Sequence, residues 1–155
     1  MKFSPKISLT KAGFSDIEFL WYLRNRPDVY RYSRQNRAIS WKEHIQWITP
    51  VILGMSNKDI FIIENLETPI GQIRFDYPNQ NEAEVSISIL KEFRGKSFGR
   101  KAFEVAKRKI KNEKKLRKLI AEIHRENLSS VTFFEKLGFK FKTKKGNWLK
   151  YIFTL

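Results

Sequence analysis

Residues 89–100 read Ile89-Leu90-Lys91-Glu92-Phe93-Arg94-Gly95-Lys96-Ser97-Phe98-Gly99-Arg100. Two glycines and a serine stand here between a stretch that alternates apolar with polar and one whose apolar residues recur at helical spacing. The segment reads as the turn from a strand into a helix. At such a junction the first helical N–H groups have no partner inside the helix, and the helix dipole favours negative charge. Glycine, in addition, lets an anion approach the backbone. Lys96 and Arg100 add counter-charge. The segment is therefore a candidate phosphate loop, although a Gly-bearing strand-to-helix turn can also be only a turn.

Working outward from the loop, the elements order themselves. On its C-terminal side Phe103, Ala106 and Ile110 form the core face of a helix, with Lys101, Arg108 and Lys111 on the wet face. Residues 118–124 read as a strand and 127–137 as a short helix that Gly138 ends in a left-handed conformation. Residues 139–143 and 148–155 then form a hairpin about 145–147. On the N-terminal side Val85, Ile87 and Ile89 alternate with Glu84, Ser86 and Ser88, and Ile73, Phe75 and Tyr77 with Gln72, Arg74 and Asp76. With the apolar run 60–63 and turns at 67–71 and 78–81, these strands make an antiparallel meander.

Before the meander, residues 7–10 read as a strand, and Ser15 with Glu18 as a capping box opening a helix through Leu23. A second box, Ser40 with Glu43, opens a helix with Trp41, Ile45, Ile48 and Ile52 on one face, His44 and Trp47 on a neighbouring one, and Pro50 shortening or bending it. The predicted order is β-α-α-βββ-α-β-α-ββ, an α/β chain with a mixed sheet and one domain over residues 1–155.

Composition narrows the class. With 41% hydrophobic residues and no Cys, the chain can bury a core of its own, and it has no disulfide framework, thiolate metal site or cysteine nucleophile. No apolar run reaches membrane-spanning length and the start lacks a secretory leader, so a cytoplasmic protein without membrane contact is expected. The formal charge of +15 attracts phosphates of any kind: a nucleic acid, a phosphorylated cofactor or a nucleotide-linked substrate. It also fits a Lys-rich solvated surface.

A second segment discriminates among these. Residues 126–139 read Glu126-Asn127-Leu128-Ser129-Ser130-Val131-Thr132-Phe133-Phe134-Glu135-Lys136-Leu137-Gly138-Phe139. Together with residues 89–100 this resembles the GCN5-related N-acetyltransferase (GNAT) family, whose members carry an Arg/Gln-x-x-Gly-x-Gly/Ala loop and a later Asn-x-x-Ser-x-x-Phe-Tyr-x-x-x-Gly-Phe stretch. The resemblance implies the GNAT acyltransferase fold, acetyl-CoA as co-substrate and no metal. It implies that backbone groups near Ile89 and Leu90 bind the pantetheine arm, that residues Arg94, Gly95, Lys96, Ser97, Gly99 and Arg100 hold the pyrophosphate, and that Asn127, with Ser130 and Phe134, faces the coenzyme. Two departures stand out. Ser97 replaces a usual Gly, requiring a backbone conformation that a Cβ tolerates. Phe134 stands where many members carry a Tyr thought to protonate the departing thiolate, and a phenyl ring has no such proton.

Direct acetyl transfer needs a neutral amine, an acceptor for its proton and donors facing the developing oxyanion. Glu84 shares a strand face with Ser86 and Ser88, and Glu122 shares one with His124. These three, Glu84, Glu122 and His124, are the candidate bases, unless they are ordinary polar positions. Glu84 comes first, because some members of the resembled family place a catalytic Glu at a comparable point. Residues 22–29, with Arg24-Asn25-Arg26-Pro27, and 39–48, with Ile39-Ser40 and His44, resemble the branch acting on UDP-linked amino sugars in pseudaminic acid biosynthesis. That implies a nucleotide-sugar acceptor; physically, Arg24, Arg37 and His44 are suited to its phosphates and Tyr32 and Trp47 to its rings, unless Trp47 is a core residue and His44 caps or packs within its helix. A protein N-terminus, an antibiotic or another small amine is the alternative acceptor. The expected partners are thus a small-molecule amine and no nucleic acid, with the chain a monomer or homodimer. A non-catalytic nucleic-acid module is the remote alternative, resting on charge and on Phe139-Lys140-Phe141-Lys142, an alternation that a strand with one wet face also shows.

Overall fold

A computed structural model describes residues 6–155 of the chain. It contains β1 (Ile7–Lys11), α1 (Ile17–Arg24), the one-turn α2 (Pro27–Tyr30), α3 (Trp41–Ile52), β2 (Lys58–Asn65), β3 (Thr68–Asp76) and β4 (Glu82–Ile89). These are followed by α4 (Phe98–Glu113), β5 (Lys118–His124), α5 (Leu128–Leu137), β6 (Lys140–Lys145) and β7 (Trp148–Thr154). The strands form a sheet of order β1-β2-β3-β4-β5-β7-β6, antiparallel throughout except where β4 meets β5. That parallel pair requires a crossover, and α4 is its helix.

The two faces of the sheet carry different cores. Phe61, Ile63, Phe75, Val85 and Leu119 face α4 and α5, packing on Phe103, Ala106, Ile110 and Phe134. Ile60 and Ile62, one residue out of phase, face α1 and α3 and pack on Ile17, Leu20, Ile48 and Val51. Glu84, Glu122 and His124 have the parity of this second face, so the three candidate bases lie on the α1/α3 side.

The predicted element order stands, with α2 added, and the hairpin β6–β7, the helix ending at Gly138 (φ +105°) and the Ser40–Glu43 box are all present. Four details differ. The first helix is opened by Asp16, whose carboxylate accepts the Gly13 N–H at 2.8 Å, and a 3-10 turn precedes it; Ser15 and Glu18 take no part. The β2–β3 turn is narrower than 67–71, made by Leu66 and Glu67 with φ of +50° and +68°, and Gly71 belongs to β3. A Cβ on Gly71 would stand 2.3 Å from the Ser88 carbonyl oxygen, so glycine there serves close strand approach rather than a turn. Pro50 sits inside α3 without ending it. Finally, the buried face of α3 is His44, Ile48 and Val51, while Trp41 is 44% exposed.

His44 is thus a core residue, with Nε2 2.8 Å from the Ile17 carbonyl oxygen, joining α3 to the start of α1. Burial pushes its pKa down and outweighs the opposing effect of that hydrogen bond. A histidine neutral in the fold and freely protonated when unfolded lowers stability as pH drops below 6.5, because the unfolded chain then binds the extra proton. The melting temperature is expected to fall between pH 7 and the depressed native pKa in the parent and to fall less steeply in His44→Gln. Equal slopes in thermal denaturation would contradict this role.

Candidate active site

The site originates in a parting of strands. β4 and β5 pair only at Glu82, Ala83 and Glu84 with Lys118, Leu119 and Ile120. Beyond Glu84 the two strands part, while β4 continues to pair with β3 as far as Ile89. The Leu90 N–H donates to the Ile70 carbonyl at 2.8 Å, so the backbone groups of Leu90, Ser88 and Ser86 face β3. Those of Ile87 and Ile89 face the opening. The Ile89 carbonyl oxygen accepts Arg94 Nε at 2.8 Å, which leaves its N–H as the group presented to the gap.

The gap is the floor of a cleft of about 740 Å³. Of the predicted coenzyme residues, Ile89, Arg94, Gly95, Ser97, Gly99, Arg100, Asn127, Ser130 and Phe134 line it, and Leu90 and Lys96 do not. Gly95 and Ser97 have φ of +73° and +68°, and Ser97 is the N-cap of α4. The serine therefore holds the left-handed conformation that a Cβ disfavours, strain of about 1 to 3 kcal/mol located at the loop. Asn127 caps α5, accepting the Ser130 N–H at 3.2 Å. Phe134 is buried with its ring 5.0 Å from that of Phe139 and 5.3 Å from that of Phe133. A phenol at this place would need a partner; phenylalanine does not.

Arg94 is not available as a simple phosphate contact. Besides the Ile89 carbonyl, its guanidinium meets the Asp28 carboxylate at 2.6 Å, tying α2 to the loop. Burial raises the Asp28 pKa, but the Arg94 guanidinium outweighs it and holds the group ionised. Sequence reasoning missed Asp28 and Arg31, which also line the cleft, although both lie in or beside the quoted stretch 22–29.

The candidate acceptor residues divide. Tyr32 lines the cleft, and its ring lies 5.9 Å from that of His124. Trp47 is 38% exposed, with the Arg74 guanidinium 5.5 Å from its ring centre. Arg24, Arg37 and His44 do not line the cleft. Arg24 donates to the Arg37 carbonyl and to the Gln35 side chain, and Arg37 pairs with Glu43 at 2.9 Å, so both guanidinium groups brace the segment between α2 and α3.

The three candidate bases share one face of the sheet, and none of them is among the residues lining the cleft. Glu84 lies on β4 where the pairing stops, and Glu122 and His124 follow on β5. Glu122 pairs with Arg34 at 2.6 Å, and the guanidinium lies 3.8 Å from the centre of the Trp148 ring, itself 5.4 Å from His124. Arg34 and Trp148 carried no sequence signal, because β7 had first to be placed beside β5 in the register Trp148↔His124. Burial pushes the Glu84 pKa up, and the negative charges of Glu122 and Asp76 push it further, against Arg74 and Arg34. Among the described residues no group of His, Asp and Glu is arranged to hold a metal ion.

Residues 6–140 match the family described as acetyltransferase (GNAT) domain, and the chain belongs to that family. A Methanocaldococcus jannaschii protein described as uncharacterized is 30% identical over 154 residues, covering 96% of this chain. The chain spans only 31% of that relative's length. The crystal structure of a domain from Methanocaldococcus jannaschii superimposes with a TM-score of 0.84 at 29% identity, covering 98% of this chain and 100% of that one. A spermidine N-acetyltransferase from Vibrio cholerae, solved with CoA and spermine, has the same fold, with a TM-score of 0.80 at 21% identity over 96% and 95% of the two chains.

Removing one carboxylate from a pair lowers the pKa of the other. Glu122→Gln is expected to shift the Glu84 titration to lower pH, followed by carboxyl-carbon NMR; an unmoved Glu84 would show that the two do not interact.

Proposed function

We propose that the chain transfers an acetyl group from acetyl-CoA directly to a primary amine, with Glu84 taking the amine's proton. The observation that carries this reading is the placing of a carboxylate with a raised pKa at the residue where β4 leaves β5, on the strand whose later residues Ile87, Ser88 and Ile89 line the cleft. The cleft suits the coenzyme. Left-handed Gly95 and Ser97 turn the loop at the start of α4, where a pyrophosphate would meet the positive end of the helix dipole, with Arg100 as counter-charge. The Ile87 and Ile89 N–H groups would hold the acyl and pantetheine carbonyls, and Asn127 the arm. Acetyl-CoA supplies the acetyl thioester as electrophile.

The remaining steps belong to the chain's own side chains. Glu84 binds the incoming ammonium while ionised and accepts its proton directly or through water, and its raised pKa brings it nearer the working pH of a general base. Phe134 has no proton to offer a thiolate, and a thiol pKa of about 8.5 lets that group leave ionised. No covalent link to the protein is needed.

For the acceptor, the resemblance at 22–29 and 39–48 and the charge of +15 support an amino group on an anionic molecule, such as a nucleotide-linked sugar. Its phosphates would fall to Arg31, which lines the cleft, because Arg24 and Arg37 are bound to their own segment. A second reading, a polycationic amine, is favoured by the local pair Glu84 and Glu122 and by the likeness to the spermidine enzyme.

Thiol release from acetyl-CoA is expected to rise with an added primary amine and to fall by about 10² to 10⁴ in kcat in Glu84→Gln, with coenzyme A still bound. Stimulation by a UDP-linked 4-amino sugar but not by spermidine or an N-terminal peptide would support the sugar. The reverse would overturn it, and failure to bind coenzyme A at millimolar concentration would overturn the reading as a whole.

A further inference from the structure

Resting on the acetyltransferase reading, we propose that Trp148 and Glu122 form a subsite for the acceptor's ammonium group, in which Arg34 is the chain's own seated cation. Arg34 reaches across from the segment between α2 and α3. Its guanidinium lies 3.8 Å from the centre of the Trp148 ring, and one nitrogen stands 2.6 Å from the Glu122 carboxylate. An aromatic face on one side and a carboxylate on the other is the surrounding an organic cation binds best at a protein surface.

The strand register builds this pocket. Trp148 lies opposite His124, and Glu122 lies two residues back on the same face of β5. The His124 ring is 5.4 Å from Trp148 and 5.9 Å from Tyr32, which lines the coenzyme cleft. Glu84, the proposed base, feels the charge of Glu122. A cation at Trp148 and Glu122 is therefore at the threshold of the acetyl-transfer site, one carboxylate away from the group that takes its proton.

Arg34 is suited to being displaced. Its side chain is 60% exposed, and an ion pair that wet is weakly held. An acceptor ammonium can exchange with it at the indole face, and Arg34 thereby sets the threshold affinity for the amine. A neutral molecule gains nothing from the exchange.

Calorimetric titration with 1,3-diaminopropane decides the point, with 1,3-propanediol as its uncharged isostere. Arg34→Gln is expected to bind the diamine at least roughly threefold more tightly than the parent, and the added Trp148→Leu to abolish that gain. The diol should bind none of the three. Equal or weaker diamine binding by Arg34→Gln, a gain that survives Trp148→Leu, or diol binding like the diamine's would each overturn the proposal. The titrations are run with and without coenzyme A. Failure of the coenzyme itself to bind would sink the acetyltransferase reading and still leave the diamine comparison to decide the subsite.

Discussion

The parting of β4 from β5 after Glu84 is the constraint on which the rest of the molecule depends. Parallel strands normally hold each other's backbone groups along their length, and here they do so for only three residue pairs. The pairing lost beyond that point leaves polar backbone at the centre of a seven-stranded sheet, a place where unpaired groups cost free energy unless water or a ligand meets them. The chain keeps that edge open without letting it collapse. β4 stays fastened to β3 as far as Ile89, Arg94 takes the Ile89 carbonyl, and α4 and α5 wall the gap with buried aromatic rings. The Ile87 and Ile89 N–H groups that face the gap are donors, the chemical complement of carbonyls.

The same parting fixes the division of labour between the two faces. On the α4/α5 side the residues are apolar, and the loop and the ends of both helices line the cleft. On the α1/α3 side the strand residues of opposite parity bring carboxylates, an imidazole and an indole together over the point of opening. Arg94 with Asp28, and Arg34 with Glu122, join the segment following α1 to the coenzyme loop and to β5 respectively. These two ion pairs link the acceptor side to the coenzyme side through α2 and the segment after it.

Much of this was legible in the residues. Alternation of period two and the glycine and serine turn at residues 94–99 were enough for the element order and for the strand-to-helix junction at the candidate phosphate loop. Parity alone put Glu84, Glu122 and His124 on shared faces. The failures have physical causes. His44 looked like a ligand because a lone helix histidine beside tryptophans has the same pattern whether it points out or in, and only the docking of α1 decides. Arg24 and Arg37 are cations whose partners come from their own or neighbouring segments, and Arg94 pairs with Asp28 of the distant α2, which spacing does not reveal. Arg34 and Trp148 meet only after β7 has inserted between β5 and β6, a long-range pairing without a local signal. Gly71 was read as a turn residue although its lack of a side chain serves contact with Ser88.

The central claim is that the unpaired backbone of β4 receives the coenzyme. Amide hydrogen exchange measured by NMR, with and without coenzyme A, tests it residue by residue. The account predicts that the Ile87 and Ile89 amides become protected on binding, whereas Leu90, already bonded to Ile70, does not change. Binding that left Ile87 and Ile89 exchanging as before would contradict it.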